Sequence, residues 1–246
     1  MKIDTCIQGD SLKWMQNVKA PFADLIIADP PFNIGFQYDS YNDDRPEDDY
    51  LAWCKSWISE CKRLLDSEGN LLICISDKHV SDIDVLCRKE LGLTRANWIV
   101  WHYQFGQSGN LDTRKRFTCS KTHILRYVKN KKFFFDAGSV AVPSARQLAY
   151  NDKRADSRGK CPNDVFTFKR IAGTHKARVD GIATQMPVEL LRIWVKAMCR
   201  PDGCVFDPFA GSGSSLIAAG REGRHYLGVE LSPNYHKIIM DQLAAL

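Results

Sequence analysis

Short apolar segments alternate along this chain with segments of helical periodicity, and this alternation is the strongest constraint on its fold. Apolar runs bounded by turn residues indicate buried strands, and strands that alternate with amphipathic helices are typical of an α/β fold with a largely parallel sheet. We predict strands at 24–28, 70–76, 97–103, 122–128, 204–206 and 226–229. We predict helices at 47–65, 81–91, 187–199, 214–220 and 233–246. Ser232 and Pro233 provide the N-cap and first residue of the last helix.

The first motif with chemical content follows the predicted strand at 24–28, which ends in Asp29-Pro30-Pro31-Phe32. Ligands of open α/β sheets bind at the carboxyl ends of strands. Two prolines hold the backbone rigid and remove two N–H donors, so that acceptors remain beside one flat ring. A carboxylate and a carbonyl can accept both hydrogens of a planar amino group while Phe32 stacks on its ring. The motif therefore favours a site for a planar NH2 group, although an ordinary proline turn has the same composition.

The second motif is a glycine-rich turn between the strand at 204–206 and a helix. It reads Asp207-Pro208-Phe209-Ala210-Gly211-Ser212-Gly213. Such a turn lets a ligand approach the backbone closely, but Lys does not follow Gly as in a phosphate-binding P-loop. The leading Asp207 repels phosphate and attracts an ammonium group. Glu230 ends the next predicted strand, where an acid commonly binds ribose hydroxyls. A ligand with an amino group, a ribose and no phosphate, such as S-adenosyl-L-methionine, fits this pattern.

The charge of the chain is concentrated in its middle. The stretch from Phe105 to Arg178 contains 17 Lys and Arg but five Asp and Glu, although the whole chain carries a net charge of +5. A basic block of this kind is typical of a nucleic-acid surface, and a solvated charged face is the alternative. Residues 136–178 also lack a clear period and are rich in Ser, Gly and Pro, so we predict that they form an insertion that leaves the core and returns.

At these residues the sequence resembles the amino-directed DNA methyltransferases. Asp29-Pro30-Pro31-Phe32 is similar to their catalytic motif, and Asp207–Gly213 is similar to their cofactor loop. The catalytic motif precedes the cofactor loop, with a basic segment between them, as in the beta group of that family. Gly9-Asp10-Ser11 and Thr184-Gln185-Met186-Pro187 resemble two further cofactor segments.

The resemblance implies a Rossmann-like methyltransferase sheet with helices on both faces, a permuted motif order and a small basic target-recognition insertion. It implies a discontinuous catalytic domain of residues 1–135 and 179–246, with the insertion at 136–178. Asp29, Pro30, Pro31 and Phe32 would be catalytic. The implied cofactor-binding residues are Asp10, Ser11, Asp29, Thr184, Gln185, Pro187, Asp207, Pro208, Phe209, Gly211, Ser212, Gly213 and Glu230. Basic residues expected to contact DNA are Arg114, Arg116, Lys121, Arg154, Lys160, Arg170, Lys176 and Arg178.

The expected reaction is transfer of a methyl group from S-adenosyl-L-methionine to N6 of a flipped-out adenine in double-stranded DNA. The alternatives are N4 of cytosine, an RNA or protein-glutamine substrate, and a DNA-binding relative without catalysis. The nine Cys are scattered and no Cys-x-x-Cys pair occurs, so we expect no metal. With no secretory h-region at the start and no long apolar run, we expect no membrane partner and a cytoplasmic protein of a prokaryotic or phage-infected cell. A homodimer is compatible with the resemblance.

Overall fold

One mixed sheet of eight strands forms the centre of the molecule. The computed structural model describes residues 2–107, 115, 117–150, 153–154 and 156–246. The strands are β1 Thr5–Gln8, β2 Ala23–Ala28, β3 Leu65–Ile75, β4 Thr94–Gln107, β5 Cys119–Val128, β6 Val165–Thr167, β7 Cys204–Asp207 and β8 His225–Glu230. The helices are α1 Ser11–Asn17, α2 Glu47–Leu64, α3 Val80–Val85, α4 Ala145–Leu148, α5 Val188–Met198, α6 Ser214–Arg221 and α7 Pro233–Leu243.

The strand order is β1-β8-β7-β2-β3-β5-β4-β6, which places β2 and β7 side by side at the middle. The first five strands in this order run parallel, β5 is antiparallel to both β3 and β4, and β6 is parallel to β4. β2 and β7 are distant in sequence, yet Leu25 is in register with Val205 and Ile26 with Phe206. Their carboxyl ends therefore meet at one edge of the sheet.

The core lies on both faces of this sheet because the central strands are apolar at successive positions. In β2, Ile26 and Ala28 pack on the face covered by α2, whereas Leu25 and Ile27 pack on the face covered by α5. A strand buried on both faces reads as a continuous hydrophobic run, which is why the sequence predicts β2 well. The predicted α/β fold with helices on both faces is confirmed.

The helix ends follow from local chemistry. Ser232 caps α7, since its Oγ accepts from the Tyr235 amide at 3.2 Å, and Pro233 occupies the first turn. In α2 the acids lie in the first turn and the bases in the last, where they complement the helix dipole. The helix predicted at 81–91 is α-helical over Val80–Val85 and continues as a π-helical turn, Leu86–Glu90.

The basic segment at 136–178 was predicted to leave the core and return, and it also contributes a strand to the sheet. β6 lies within it and pairs with β4, with Val165 in register with Val100. Lys160 and Val142 form a two-way backbone bridge that closes the intervening loop. The domain boundaries remain a prediction. All nine Cys are free, and seven of them are buried. Within the described ranges, every helix is too short or too polar to cross a membrane.

Candidate active site

A cavity of about 1160 Å³ opens at the carboxyl edge of the sheet, where β2 and β7 end. Asp29 follows β2 directly and Asp207 is the last residue of β7. Because these strands are parallel neighbours, both carboxylates reach the same cavity, which both residues line. The two predicted motifs are thus brought together by the strand order.

The Asp207 carboxylate organises the glycine-rich turn. It accepts from the Ser215 hydroxyl on α6 and from the Phe209 amide, the latter at 2.9 Å. Gly211 has a φ of 52°, a left-handed conformation that favours glycine. Burial raises the pKa of Asp207 to about 7, aided by the negative charge of Glu230 and opposed by the hydrogen bonds from Ser215 and Phe209. A cation in this cavity would stabilise the ionised form.

Asp29 is half-buried and lies within the electrostatic reach of Asp207. Desolvation raises the pKa of Asp29 to about 7, and the charge of Asp207 adds to the shift. The two carboxylates therefore repel each other when both are ionised. Such a pair is poised to bind a positively charged group and to change protonation near neutral pH.

Glu230 ends β8 beside the glycine-rich turn. Its carboxylate accepts from the Gly211 amide at 2.7 Å and from the Ser232 amide at 2.8 Å. Burial raises its pKa, although both hydrogen bonds oppose the shift. Each carboxylate oxygen retains acceptor capacity, so the pair of oxygens can also accept from two hydroxyls.

The predicted segment at Asp10 and Ser11 lies beside Glu230. The Gly9 amide donates to the Glu230 carbonyl at 2.8 Å, which ties the two segments together. Asp10 caps α1 through an acceptor contact with the Lys13 amide at 3.1 Å. Both Asp10 and Ser11 line the cavity.

Most of the other predicted cofactor residues also line the cavity. Pro208, Phe209, Ser212 and Thr184 line the cavity, as does Gln185, whose amide also holds the backbone of Ala177 and Val179.

Two of the predicted cofactor residues, Gly213 and Pro187, do not line the cavity. Gly213 has a φ of 73° at the start of α6, and a Cβ there would lie 3.1 Å from the side chain of Ile239. Pro187 is the N-cap residue of α5. Their part in cofactor binding stays a prediction.

All four residues of the predicted catalytic motif, Asp29 to Phe32, line the cavity, and this segment is here called the catalytic turn.

A loop of residues 33–45, here called the covering loop, follows this motif and was missed by the sequence analysis. Asp43 is buried and accepts from the amides of Asn33, Ile34 and Phe36 at 2.7, 3.1 and 3.0 Å. Asp39 accepts from the Ser232 hydroxyl at 2.6 Å and thereby joins the loop to the N-terminus of α7.

The covering loop supplies further cavity-lining side chains, including Tyr38, Asp39 and Tyr41. In the sequence this region is a concentration of negative charge, and the role of Asp43 is not apparent there, because a side chain that binds backbone amides seven to ten residues earlier follows no short motif. Its Asn33 has a φ of 54°, and its side chain accepts from the Arg45 amide and donates to the Arg45 carbonyl.

The basic residues predicted to contact DNA are spread over the cavity and its surroundings. Lys121, Arg170 and Arg178 line the cavity, and the guanidinium of Arg170 lies 5.4 Å from the ring centre of Tyr103. Arg154, Lys160 and Lys176 are exposed and are not among its lining residues. Arg114 and Arg116 lie outside the described residues.

The carboxylates that line the cavity fit S-adenosyl-L-methionine as a ligand. Two carboxylates with raised pKa values favour a cationic ligand, and Glu230 offers acceptors for hydroxyls. Over the part of the chain that the structure describes, no cluster of three or more His, Cys, Asp or Glu side chains could hold a metal ion.

An α/β sheet that brings Asp29-Pro30-Pro31-Phe32 and the acidic glycine-rich turn to one cavity is the arrangement expected of the class of amino-directed DNA methyltransferases. The family model for DNA methylases of the N6 and N4 type matches residues 23–241. The chain belongs to this family. It is 32% identical to DNA adenine methyltransferase YhdJ of Escherichia coli (strain K12), over 97% of this chain and 82% of that protein. It is 28% identical to the type II methyltransferase M.HpaI of Haemophilus parainfluenzae, over 96% and 73% of the two chains.

Solved structures share the fold. The cytosine-N4-specific PvuII DNA methyltransferase superposes with a TM-score of 0.73 at 16% identity, covering 98% of this chain and 89% of that one. The complex of M1.HpyAVI with S-adenosylmethionine superposes with a TM-score of 0.67 at 19% identity, covering 97% and 98%. The expected Rossmann-like methyltransferase sheet is thereby confirmed.

Proposed function

We propose that this protein transfers a methyl group from S-adenosyl-L-methionine to the exocyclic N6 of adenine in double-stranded DNA. The observation that carries the proposal is the shared cavity of Asp29 and Asp207, which joins an amino-group acceptor to a cation-binding turn. Adenine is favoured because the motif begins with Asp and because the relative YhdJ is named an adenine methyltransferase.

The residues of the glycine-rich turn would hold the cofactor. Asp207 would face its cationic groups, and Glu230, with Asp10 and Ser11 nearby, would accept from its ribose. When bound, S-adenosyl-L-methionine supplies an electrophilic methyl group on a sulfonium. The raised pKa values of Asp29 and Asp207 support this assignment, because a bound cation relieves the repulsion between the two carboxylates.

The target amino group is held by the catalytic turn. Asp29 and the Pro30 carbonyl accept its two hydrogens, and Phe32 stacks on the base. These contacts favour a more tetrahedral nitrogen with its lone pair directed at the methyl donor, so that rate comes from positioning and electrostatics. Once the methyl group has left the sulfonium, the positive charge that favours an ionised Asp29 is gone, and this carboxylate can take up the proton that the nitrogen loses.

An amino group inside duplex DNA cannot reach a cavity at a sheet edge, so the base must be extruded at a cost of a few kcal/mol. Stacking on Phe32 offsets about 1–3 kcal/mol of that cost. Lys121, Arg170 and Arg178 at the cavity, with the more distant basic residues of 136–178, bind the flanking phosphates and form the target-recognition region.

N4 of cytosine is the second candidate, because the same acceptors fit its amino group and the PvuII enzyme of the same fold is cytosine-N4-specific. Purified protein is incubated with genomic DNA and methyl-labelled S-adenosyl-L-methionine, and the DNA is digested to nucleosides for mass spectrometry. We expect N6-methyladenine, whereas N4-methylcytosine would establish the second candidate.

The Asp29→Ala variant should give no product, and Asp24→Asn serves as its control at the opposite end of β2, where Asp24 pairs with Arg200. Wild-type protein that binds cofactor but methylates no DNA would contradict the proposal.

A further inference from the structure

The hydroxyl of Tyr50 contacts the backbone of the catalytic turn. Tyr50 lies in the first turns of α2 and donates to the Pro31 carbonyl at 2.9 Å. Its side chain is fully buried, and its ring packs against His79 and Trp53 with centroid distances of 4.8 and 5.8 Å. The packing leaves the ring little freedom, so that the hydroxyl is a fixed donor.

The backbone on either side of this bond has few free torsions. Pro30 and Pro31 have fixed φ angles because of their rings. Rotation about the Cα–C bond of Pro31 is then the soft torsion that orients the next peptide plane, which carries Phe32. The Pro31 carbonyl lies in that plane, so a hydrogen bond to this oxygen sets the orientation of the plane.

The far side of Phe32 is held in the same way. The Asn33 amide donates to Asp43 at 2.7 Å, and the Asn33 carbonyl accepts from Lys78 Nζ at 2.8 Å. Phe32 thus lies between two peptide units that are each fixed by a side chain from another element.

We propose that Tyr50 is a positioning residue that acts through Pro31 to hold the Phe32 ring in place for the target base. This inference rests on the proposed function. The Tyr50 ring packs on Trp53, which in turn packs on Phe209 of the glycine-rich turn, whereas its hydroxyl donates to Pro31. Loss of the hydroxyl alone should therefore affect the methyl-transfer step and leave the cofactor pocket unchanged.

The Tyr50→Phe variant removes the hydroxyl and keeps the ring. We expect kcat to fall about tenfold, equivalent to roughly one hydrogen bond, with the Kd for S-adenosyl-L-methionine unchanged. The matched control is Tyr127→Phe, since Tyr127 is equally buried and donates to Asp84 at 3.1 Å on another part of the sheet. That variant should keep the wild-type kcat.

A double-mutant cycle separates positioning from general destabilisation. Phe32→Leu removes the flat ring and keeps an apolar side chain, so that residual activity can be measured. If Tyr50 acts through Phe32, Tyr50→Phe lowers kcat less than about twofold in the Phe32→Leu background, whereas Tyr127→Phe shows no coupling. Equal tenfold losses in both backgrounds, or an unchanged kcat in Tyr50→Phe alone, would overturn the inference. Wild-type protein without DNA methylation would contradict the proposed function instead.

Discussion

Asp29 and Asp207 follow neighbouring parallel strands, and the charge of Asp207 contributes to raising the pKa of Asp29 to about 7. The sheet therefore holds two carboxylates of raised pKa at one cavity. Buried acids are usually paired with a cationic group, whereas these two lie near each other. The arrangement destabilises the ligand-free protein above neutral pH and favours a cationic ligand.

Affinity for S-adenosyl-L-methionine should rise with pH between 6 and 7.5. Free Asp207 has a pKa of about 7, and a bound cation stabilises its ionised form, so binding at low pH must release a proton. We expect affinity to increase by about tenfold over this range. Isothermal titration calorimetry measures both the Kd and the number of released protons. The demethylated product lacks the sulfonium charge and should show a weaker pH dependence; identical profiles for the two ligands would exclude a role for Asp207 in binding that charge.

Replacing Asp29 by Asn should stabilise the ligand-free protein at pH 8. The folded-state pKa of about 7 lies above the ordinary value of 3.8, so the stability that this carboxyl contributes is present below pH 4 and is lost as pH rises through 7. A full shift would be worth about 4 kcal/mol, and partial access to solvent reduces the expected gain at pH 8 to about 2 kcal/mol.

Urea unfolding at several pH values measures this difference, which should vanish toward pH 4. The Asp24→Asn control should destabilise the protein at pH 8, because it removes the charge that pairs with Arg200 and leaves one acceptor oxygen where Asp24 has two, one for Arg200 and one for the Cys204 amide. A variant at position 29 that is less stable than wild type at pH 8 would refute the raised pKa of Asp29, which burial causes first and the charge of Asp207 second.

Methyl transfer should depend on Asp29 far more than cofactor binding does. In Asp29→Ala we expect kcat to fall by about 10²–10³-fold or more, because an acceptor aimed at the reacting nitrogen is lost. The Kd for S-adenosyl-L-methionine should change by less than about threefold, since Asp207 and Glu230 remain, each worth on the order of 1–3 kcal/mol. Labelled-methyl transfer and calorimetry give the two values. Retained turnover would exclude Asp29 from the reaction.

Cofactor binding should instead depend on Glu230. The Glu230→Ala variant loses the acceptors for ribose and the contacts to Gly211 and Ser232, so we expect the Kd to rise about 10–100-fold. Circular dichroism checks the fold. Glu222→Ala is the matched control, because Glu222 pairs with Arg192 at 2.5 Å and with no cavity residue among the described ion pairs. Equal affinities in the two variants would remove Glu230 from the cofactor site.

DNA affinity should fall with salt, because the logarithm of the association constant decreases against the logarithm of the salt concentration with a slope of about −0.9 per phosphate neutralised. Arg178→Ala should reduce the magnitude of this slope by about one unit if Arg178 contacts a phosphate. Lys132→Ala is the control, since Lys132 is exposed and pairs with Glu68 at 2.5 Å away from the cavity lining. Fluorescence anisotropy between low and high salt measures both slopes, and a slope unaffected by Arg178→Ala places that residue off the DNA path.

The sequence was sufficient for the parts of the fold that follow from local pattern. The continuous apolar run of β2 and the capped helix α7 are such parts. The sequence also indicated both parts of the candidate site, the Asp29 motif and the Asp207 turn, because an acid that directly follows an apolar strand can be recognised from the sequence alone. The adjacency of β2 and β7 depends on the strand order of the sheet, which the structure shows and which the periodicity of the sequence does not predict.

The remaining elements depend on partners distant in sequence. β1 and β6 are only four and three residues long, and each is stabilised by one neighbouring strand. The covering loop depends on Asp43, whose bonds to the backbone of Asn33, Ile34 and Phe36 follow no known spacing rule. The contact from Tyr50 to Pro31 joins residues 19 apart through a hydroxyl that reads in the sequence as part of an amphipathic helix.

The central claim is that the catalytic turn and the cofactor loop act together on an amino group of DNA. Sequencing that detects modified bases, applied to DNA from cells that express the wild-type chain or Asp29→Ala, tests it most directly. We predict methylated adenine at one recurring sequence in DNA from cells that express the wild-type chain, and no methylated adenine at that sequence in DNA from cells that express Asp29→Ala. Unmodified DNA from the wild-type cells, or equal modification with both chains, would contradict the account.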